Sequence, residues 1–318
     1  MREVDNQLIH GVAMADSALR RVVVAGGSGL VGSHLVRTLL EKRTEVAVLT
    51  RNPQAVKQPL GATAHGWDEL PALLDGSDAV INLAGEGIAD RRWSAQRKTA
   101  IRNSRTGTTA RLVAAMRACP QPPATLVNAS AIGFYVPRGG VPVNEDSGPG
   151  VGFLAEVCQA WEAEALQAAA FGVRVALVRI GVVLAGEGGA LPKMTLPVRW
   201  FLGSKLGSGE QGLSWIHIDD LVAMLIEAAR NPAWQGAFNG TAPQPLSNEV
   251  FTRLIARRLH RPMVPIPAAL TAFALRLALG ELADELLLGG AFVLPERART
   301  LGFQFRFPTA EAALEDLL

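Results

Sequence analysis

The stretch VVVAGGSGLVGSHL, residues 22–35, carries the clearest indication of the fold. It opens with a run of apolar residues that predicts a buried strand, and residues 30–43 carry apolar side chains at helical spacing. Between the two elements, Gly26, Gly29 and Gly32 follow G-x-x-G-x-x-G spacing. The first glycine permits a tight turn, the second a close approach of a ligand, and the third close packing of the helix on the strand. Between a strand and a helix, this loop predicts a pyrophosphate-binding site. A glycine-rich turn without a ligand is the alternative.

Short apolar runs alternate with longer amphipathic segments over the first 180 residues. Strands are predicted at residues 20–27, 45–51, 62–67, 78–85, 124–130 and 173–180. Continuous apolar strands are buried on both faces, so the alternation predicts an α/β protein with a doubly wound, parallel Rossmann sheet. After about residue 184, Gly/Pro-rich loops separate shorter helices, which predicts a smaller mixed C-terminal domain.

The predicted organisation has three parts. They are an N-terminal extension at residues 1–19, a Rossmann domain at 20–183 that also receives about 214–240, and a smaller substrate-side domain from 184–213 and 241–318. The extension lacks the apolar core of a signal peptide, and Met14 would be a natural start of the chain.

Composition excludes several classes of function. The 318 residues are 49% apolar and 19% charged with a formal net charge of +2, which predicts a globular protein without a nucleic-acid-binding face. No apolar stretch is long enough to span a membrane, and no Cys/His cluster has metal-ligand spacing. Only Cys119 and Cys158 are present, so we expect no disulfide framework and a cytoplasmic protein. The expected partner is a small-molecule substrate, and the expected assembly is a monomer or a homodimer.

The end of the second predicted strand carries information about the cofactor. NAD sites have an acidic residue there that binds the ribose hydroxyls, whereas this chain has Thr50 and Arg51. A guanidinium pairs with a 2′-phosphate and a carboxylate repels it, so Arg51 predicts NADP(H). An exposed arginine at a strand end, without a ligand, is the alternative.

Further cofactor contacts are predicted at the turns that follow the strands. Asp68 can accept a hydrogen bond from the adenine amino group with Trp67 beside the ring, although Asp68 as a helix N-cap is an alternative. Gly85 and its neighbour Ala84 leave room for the ribose. The predicted cofactor-binding residues are Gly26, Gly27, Ser28, Gly29, Leu30, Val31, Gly32, Arg51, Trp67, Asp68, Leu83, Ala84, Gly85, Val182 and Val183.

Longer segments carry a family resemblance. INLAGEGIADRRWSAQRKTAIRNSR (81–105), NASAIGFY (128–135) and GSGEQGLSWIHIDDL (207–221) resemble the extended short-chain dehydrogenase/reductase superfamily, and within it the YfcH-type NAD(P)-dependent epimerase/dehydratases. The resemblance implies a Rossmann domain, a bound NADP(H) and a small C-terminal domain. It implies no particular substrate.

The catalytic residues that the superfamily uses are missing from their usual positions. The resemblance implies a Ser, a Tyr and a Lys, of which the Tyr exchanges a proton with the substrate while hydride moves at the nicotinamide. The Tyr-x-x-x-Lys positions fall on Leu154 and Cys158. The Ser position falls on Ala131, with Ser130 one residue early, and the helix position that often holds an Asn carries Ser104.

Other residues are candidates for the proton transfer. They are Tyr135, Cys158 and Glu145, with Ser130 as a hydrogen-bond donor. Near a helix start, the thiol of Cys158 would have a lowered pKa, although most free cysteines are small buried apolar residues. Tyr135, the only tyrosine, has a structural role as its alternative, and Gly139 stands where a partner Lys would be.

SWIHIDDL, residues 214–221, reads as a strand followed by a helix. We expect Asp219 at the helix N-cap and a structural role for His217.

Three functions stay open at this point. One is an NADP(H)-binding epimerase or oxidoreductase that acts on a small polar substrate, of which a nucleotide sugar is one class. Another is a non-catalytic, NADP(H)-dependent regulator or scaffold. The third is a Rossmann relic that binds nothing tightly.

Overall fold

The structure is a computed structural model that describes residues 18–55, 61–135 and 140–318. Of the predicted N-terminal extension, only Ala18 and Leu19 belong to the described residues. Gly139 lies outside them.

Eleven strands are formed by the described residues. They are β1 Arg21–Ala25, β2 Glu45–Leu49, β3 Ala62–His65, β4 Ala79–Asn82, β5 Thr125–Ala131, β6 Arg174–Ile180, β7 Val182–Leu184, β8 Gly212–Leu213, β9 Trp215–His217, β10 Gly236–Gly240 and β11 Leu246–Ser247.

Ten α-helices accompany the strands in the same described part of the chain. They are α1 Leu30–Glu41, α2 Leu70–Leu74, α3 Ala95–Ala118, α4 Phe153–Leu166, α5 Leu191–Arg199, α6 Ile218–Arg230, α7 Asn248–Arg258, α8 Ala268–Leu279, α9 Glu296–Thr300 and α10 Ala310–Leu317. A π-helical turn covers Ala283–Leu288.

Seven strands form one parallel sheet in the order β10-β6-β5-β4-β1-β2-β3. The central strand β1 pairs with β2 on one side and β4 on the other, so that Val24 lies between Val48 and Ile81. The strand order reverses between β1 and β4. In open α/β sheets a ligand binds at the carboxyl ends of the strands at such a reversal. The predicted doubly wound Rossmann fold is confirmed.

Helices cover both faces of the sheet. Leu35 of α1 and Leu225 of α6 belong to the core on one face, and Leu112 of α3 and Ala165 of α4 belong to the core on the other. Burial on both faces explains the unbroken apolar runs of the strands, because successive side chains point alternately into the two cores.

A third core lies in the C-terminal region. Trp215, Phe251, Phe307 and Leu314 are its largest or most central members, and all are nearly or fully buried. This region contains the two-stranded pairs β7–β9 and β8–β11. The division of the chain into the two predicted domains stays a prediction.

The start of α6 differs from the prediction. Its N-cap is His217, not Asp219, because the imidazole Nδ1 accepts the hydrogen bond from the backbone N–H of Asp219 at 3.1 Å. The His217 ring is buried, stacks on Phe307 at 3.8 Å and lies 3.3 Å from the Asp316 carboxylate. Burial lowers the pKa of this imidazole.

The predicted helix at residues 154–171 also ends earlier than expected. α4 stops at Leu166, and a tighter 3₁₀ turn continues over Gln167–Phe171.

Candidate functional site

The three glycines of the loop after β1 serve different purposes. A Cβ on Gly26, whose φ is +81°, would lie 2.8 Å from the backbone of Leu83, and one on Gly32 would lie 2.2 Å from the carbonyl oxygen of Gly26. The fold itself therefore requires these two glycines. A Cβ on Gly29 would meet only the Gly26 oxygen, at an ordinary 3.5 Å. The fold leaves space at Gly29 that a ligand can use.

The first turn of α1 is open to an anion. Gly29 is the N-cap and offers no side-chain cap, and the first turn carries no acidic residue. The first N–H groups of a helix have no partner inside the helix, and its dipole favours negative charge. Ser28 beside them is exposed, and Leu30 and Val31 provide the first helical amides. This arrangement fits a pyrophosphate.

Arg51 stands two residues beyond the end of β2. Its neighbour Thr50 is held by a backbone hydrogen bond to His65 at 3.0 Å, which fixes the exit of the chain from the strand. Arg51 is exposed, and within the described residues its guanidinium makes no hydrogen bond or ion pair. A fixed backbone with a free guanidinium suits the binding of a phosphate.

Trp67 and Asp68 follow β3, as predicted for an adenine site. The Trp67 ring is half-buried beneath the guanidinium of Arg111, whose carbon lies 5.0 Å from the ring centre. Asp68 is exposed. The alternative that Asp68 caps the next helix is wrong, because the N-cap of α2 is Glu69.

The loop after β4, which contains Leu83, Ala84 and Gly85, is held by buried side chains. The Asn82 amide oxygen accepts the N–H of Ala84 at 3.2 Å, and the Asn82 amide nitrogen donates to Asn128 at 2.6 Å. The Ser104 hydroxyl accepts the N–H of Glu86 at 3.1 Å. Ser104, at the position that often holds an Asn, therefore has a structural contact with this loop.

Arg105 is a residue that the sequence analysis did not single out. A Cβ on Gly85 would lie 3.2 Å from the guanidinium carbon of Arg105, so the missing side chain of Gly85 makes room for this arginine as well. Arg105 donates to the carbonyl oxygens of Glu86 and Ile101, each at 3.1 Å. It joins the β4 loop to α3.

The two positions of the missing Tyr-x-x-x-Lys pair are buried in α4. Leu154 and Cys158 are 5% and 4% exposed, which leaves no polar side chain from these positions in the cleft. Burial, with the nearby Glu162 carboxylate, raises the pKa of the Cys158 thiol to about 11. The predicted lowering of this pKa is wrong, because Cys158 is the sixth residue of α4, beyond its first turn, and is surrounded by protein.

Tyr135 and Ser130 belong to one buried hydrogen-bond network. Arg179 forms an ion pair with Glu162 at 2.8 Å, and both side chains are buried. The Ser130 hydroxyl donates to Glu162 at 2.6 Å, and the guanidinium of Arg179 donates to the Tyr135 hydroxyl at 2.7 Å. Tyr135 donates in turn to Asn239 at 2.9 Å. Burial raises the pKa of Tyr135, whose ring is fully buried.

Glu145 ties the same network to the C-terminal region. Its carboxylate accepts the backbone N–H groups of Asn239 at 2.9 Å and Arg297 at 3.3 Å. Burial raises the pKa of this carboxyl group. The structure thus brings Glu145, Tyr135 and Ser130 into one network, in which their polar groups are bonded to other protein groups.

Val182 and Val183 lie in β7, directly after the turn that follows β6. The N–H of Val182 donates to the carbonyl of Ser214 at 2.8 Å, so this amide is used within the protein. Both side chains are half-buried.

A carboxylate from the C-terminal region lies at the start of α4. Glu285 accepts the N–H groups of Phe153 and Leu154, each at 2.9 Å. Gly152, with φ of +99°, makes this approach possible, because its Cβ would lie 2.9 Å from a Glu285 oxygen. No pattern in the sequence points to Glu285, since its partners are more than 130 residues away. It lies beside Leu154, at which the family resemblance predicts the position of the superfamily's Tyr.

Comparisons with known proteins agree with this architecture. The sequence profile of the NAD dependent epimerase/dehydratase family matches residues 22–239, and that of a domain of unknown function, DUF1731, matches residues 270–317. The chain is 40% identical to the Epimerase family protein SDR39U1 homolog, chloroplastic, of Arabidopsis thaliana, over 93% of this chain and 86% of that protein.

Two solved structures share both fold and sequence. Human epimerase family protein SDR39U1 (isoform2), crystallised with NADPH, is 34% identical with a TM-score of 0.83 and covers 93% of this chain and 98% of that one. The nucleoside-diphosphate sugar epimerase from Corynebacterium glutamicum is 34% identical with a TM-score of 0.74, over 94% of this chain and 57% of that one. The resemblance found in the sequence is confirmed.

Among the described residues, every helix is either too short or too polar to span a bilayer.

Proposed function

Since this chain belongs to the NAD dependent epimerase/dehydratase family, we propose that it binds NADP(H) across the carboxyl edge of its sheet. The pyrophosphate lies over the open first turn of α1, and Arg51 pairs with the 2′-phosphate. The observation that carries this proposal concerns Gly29. The fold has room for a side chain at this position, so its packing does not explain the glycine. The NADPH of the human relative supports the same choice of cofactor.

The proposed reaction is a redox or epimerase step on a small polar substrate. NADP(H) supplies hydride transfer at C4 of its nicotinamide. Nucleotide-linked sugars are the favoured class, because the relative from C. glutamicum is called a nucleoside-diphosphate sugar epimerase. The substrate lies between the β5 edge and the C-terminal region, where the domains of such folds meet.

We assign the proton transfer to Glu285 rather than to Tyr135, Cys158 or Ser130. The hydroxyls of Tyr135 and Ser130 are bound within the buried network, and the Cys158 thiol stays protonated at neutral pH because burial raises its pKa. Glu285 places a half-exposed carboxylate beside Leu154, and each of its oxygens accepts one backbone N–H and keeps a second lone pair that can take a proton. Carboxylates serve as general bases when they are positioned at the reacting group.

A non-catalytic NADP(H)-dependent regulator is the second candidate. It is supported by the burial of Cys158 and by the hydrogen bonds that hold Ser130 and Tyr135 within the protein. Product formation separates the two functions. A panel of UDP- and dTDP-sugars with NADPH and with NADP⁺, followed by NMR of the sugar, yields a new sugar if the protein is an enzyme. Glu285→Gln should then slow turnover and leave NADPH affinity unchanged.

Arg51→Asp tests the cofactor assignment. We expect NADPH affinity to fall about 10- to 100-fold, since hydrogen bonds to charged groups contribute roughly 1.5–3 kcal/mol. NADH affinity should not fall. Arg299→Asp is the control, because Arg299 is an exposed arginine that pairs with Glu296 far along the chain. Unchanged NADPH affinity in Arg51→Asp would remove the assignment.

A cytoplasmic location and a monomeric or dimeric state complete the proposal. The location rests on Cys119 and Cys158, which are both free thiols.

A further inference from the structure

Arg105 lies in the half of the site that would face the nicotinamide. Dinucleotides lie across the strand-order reversal, with the adenosine half over β1 to β3 and the other half over β4 and β5. Arg105 contacts the loop after β4 through Gly85 and Glu86. Its guanidinium also lies 5.3 Å from the ring of Trp161 on α4.

The contact with Trp161 places Arg105 near Cys158, the expected position of the superfamily's Lys. Trp161 and Cys158 are three residues apart on α4, so they occupy the same face of the helix. Cys158 stands where the superfamily has its Lys. The guanidinium of Arg105 therefore packs from α3 against the helix face on which that Lys is missing.

Arg105 forms no ion pair in the described part of the chain, and the Glu86 carboxylate acts on it only from a longer distance. Its hydrogen bonds go to the carbonyl oxygens of Ile101 and Glu86 and, at 3.5 Å, to the hydroxyl of Ser104. The Glu86 carboxylate pairs with Arg97 instead. An arginine keeps its proton in proteins, so a half-buried positive charge remains under the β4 loop.

We propose that Arg105 supplies, from α3, the positive charge that the Lys of related enzymes supplies from α4, and that this charge makes the site select NADPH over NADP⁺. The inference rests on the proposed NADP(H) site. It assigns Arg105 as a specificity-determining residue at the nicotinamide end, in addition to its bonds to the loop.

The selection follows from the charge of the two cofactor forms. The oxidised nicotinamide ring carries a positive charge and the reduced ring is neutral, so a nearby guanidinium repels only the oxidised ring. Two unit charges roughly 10 Å apart, at an effective dielectric constant of about 20, interact strongly enough to change an affinity about 10-fold. If Arg105 were purely structural, its loss would weaken the binding of NADP⁺ and of NADPH equally.

The test is the ratio of the dissociation constants for NADP⁺ and NADPH, measured by calorimetry on the full chain. In Arg105→Met we expect the ratio to fall about 10-fold, whereas Arg105→Lys keeps it within about twofold. Arg105→Gln removes the charge but keeps a donor for the Glu86 carbonyl, so it decides the question if the Met variant does not fold. Adenosine 2′,5′-bisphosphate, which lacks the nicotinamide, should bind all four proteins equally.

The outcomes separate the two proposals. If the wild-type protein binds neither NADPH nor adenosine 2′,5′-bisphosphate, the proposed function is wrong. If it binds both and the ratio stays constant in the Gln and Met variants, the role of Arg105 is overturned while the cofactor site stands. A loss of affinity for all three ligands together would identify Arg105 as structural only.

Discussion

The two halves of the carboxyl edge of the sheet use their polar groups in opposite ways. Near β1 and β2, the first turn of α1 has no side-chain cap, and the guanidinium of Arg51 makes no hydrogen bond or ion pair among the described residues. Near β5 and β6, Ser130 and Arg179 both donate to the Glu162 carboxylate, and Arg179 also donates to the Tyr135 hydroxyl. The first half is built to meet a ligand, whereas the second is built to hold the protein together.

The difference shows why residue identity alone is a poor guide to catalysis. Tyr135, the only tyrosine, and Ser130, one residue from the expected Ser position, look catalytic in the sequence, but their hydroxyls are bonded to a buried ion pair. The glycine loop, in contrast, offers backbone N–H groups to a ligand, and its own sequence largely determines the backbone conformation. Three substitutions test this difference, in order of decreasing effect.

Arg179→Met should reduce the free energy of unfolding by about 3–5 kcal/mol, because it leaves the buried Glu162 charge without its partner. Chemical denaturation monitored by circular dichroism measures the change. Arg253→Met is the matched control, since Arg253 pairs with Glu249 on the surface and such pairs contribute roughly 0.2–1 kcal/mol. Equal losses in the two variants would contradict a structural role for the network.

Gly29→Ala should separate binding from folding. The added methyl group meets nothing closer than 3.5 Å, so we expect a stability loss within about 1 kcal/mol, the usual size of an N-cap change. NADPH affinity should fall at least about 10-fold, because the methyl group occupies the approach of the pyrophosphate.

Gly107→Ala is the control for this variant. Gly107 is exposed inside α3 with open space around it, so alanine should add about 0.5–1 kcal/mol of stability and leave NADPH binding alone. If Gly29→Ala binds NADPH as the wild-type protein does, the α1 turn is not the pyrophosphate site.

The smallest effect concerns pH. Burial lowers the pKa of His217 below its ordinary value, so the folded protein binds fewer protons than the unfolded chain. Stability should therefore be lost as the pH falls below about 6.5, the ordinary pKa of a histidine. Asp219, Asp220 and Asp316 face the ring and reduce the effect without reversing it.

His217→Asn should flatten this dependence, because asparagine can accept the Asp219 N–H but does not titrate. The measurement is the slope of unfolding free energy against pH between 7 and 5.5 in the two proteins, which share all other histidines. Identical slopes would show that His217 does not control the dependence.

Sequence reasoning succeeded where the determinants are local. The apolar runs predicted the sheet, since burial on both faces of a strand leaves a direct pattern in the chain. The glycine spacing located the loop after β1. The atoms packed closest to these glycines belong to the loop itself or to the end of the adjacent strand, so the determinants are local.

It failed where the determinants are distant contacts. Whether Cys158 is buried depends on its packing against the β5 end, and no helix-start rule contains that information. Glu285 accepts a hydrogen bond from Leu154, 131 residues away in the sequence, and Arg105 donates to the carbonyl of Glu86, 19 residues away. His217 replaces Asp219 as the N-cap because the helix begins two residues earlier than the pattern indicates.

The most direct test of the central claim is a titration of the wild-type protein with NADPH and with NADH, followed by nicotinamide fluorescence. The uncapped start of α1 and an Arg51 guanidinium without a partner among the described residues predict saturable NADPH binding. This binding should be at least about 10-fold tighter than NADH binding, because of the charge-assisted bonds to the 2′-phosphate. Equal affinities, or no binding of either nucleotide, would contradict the account.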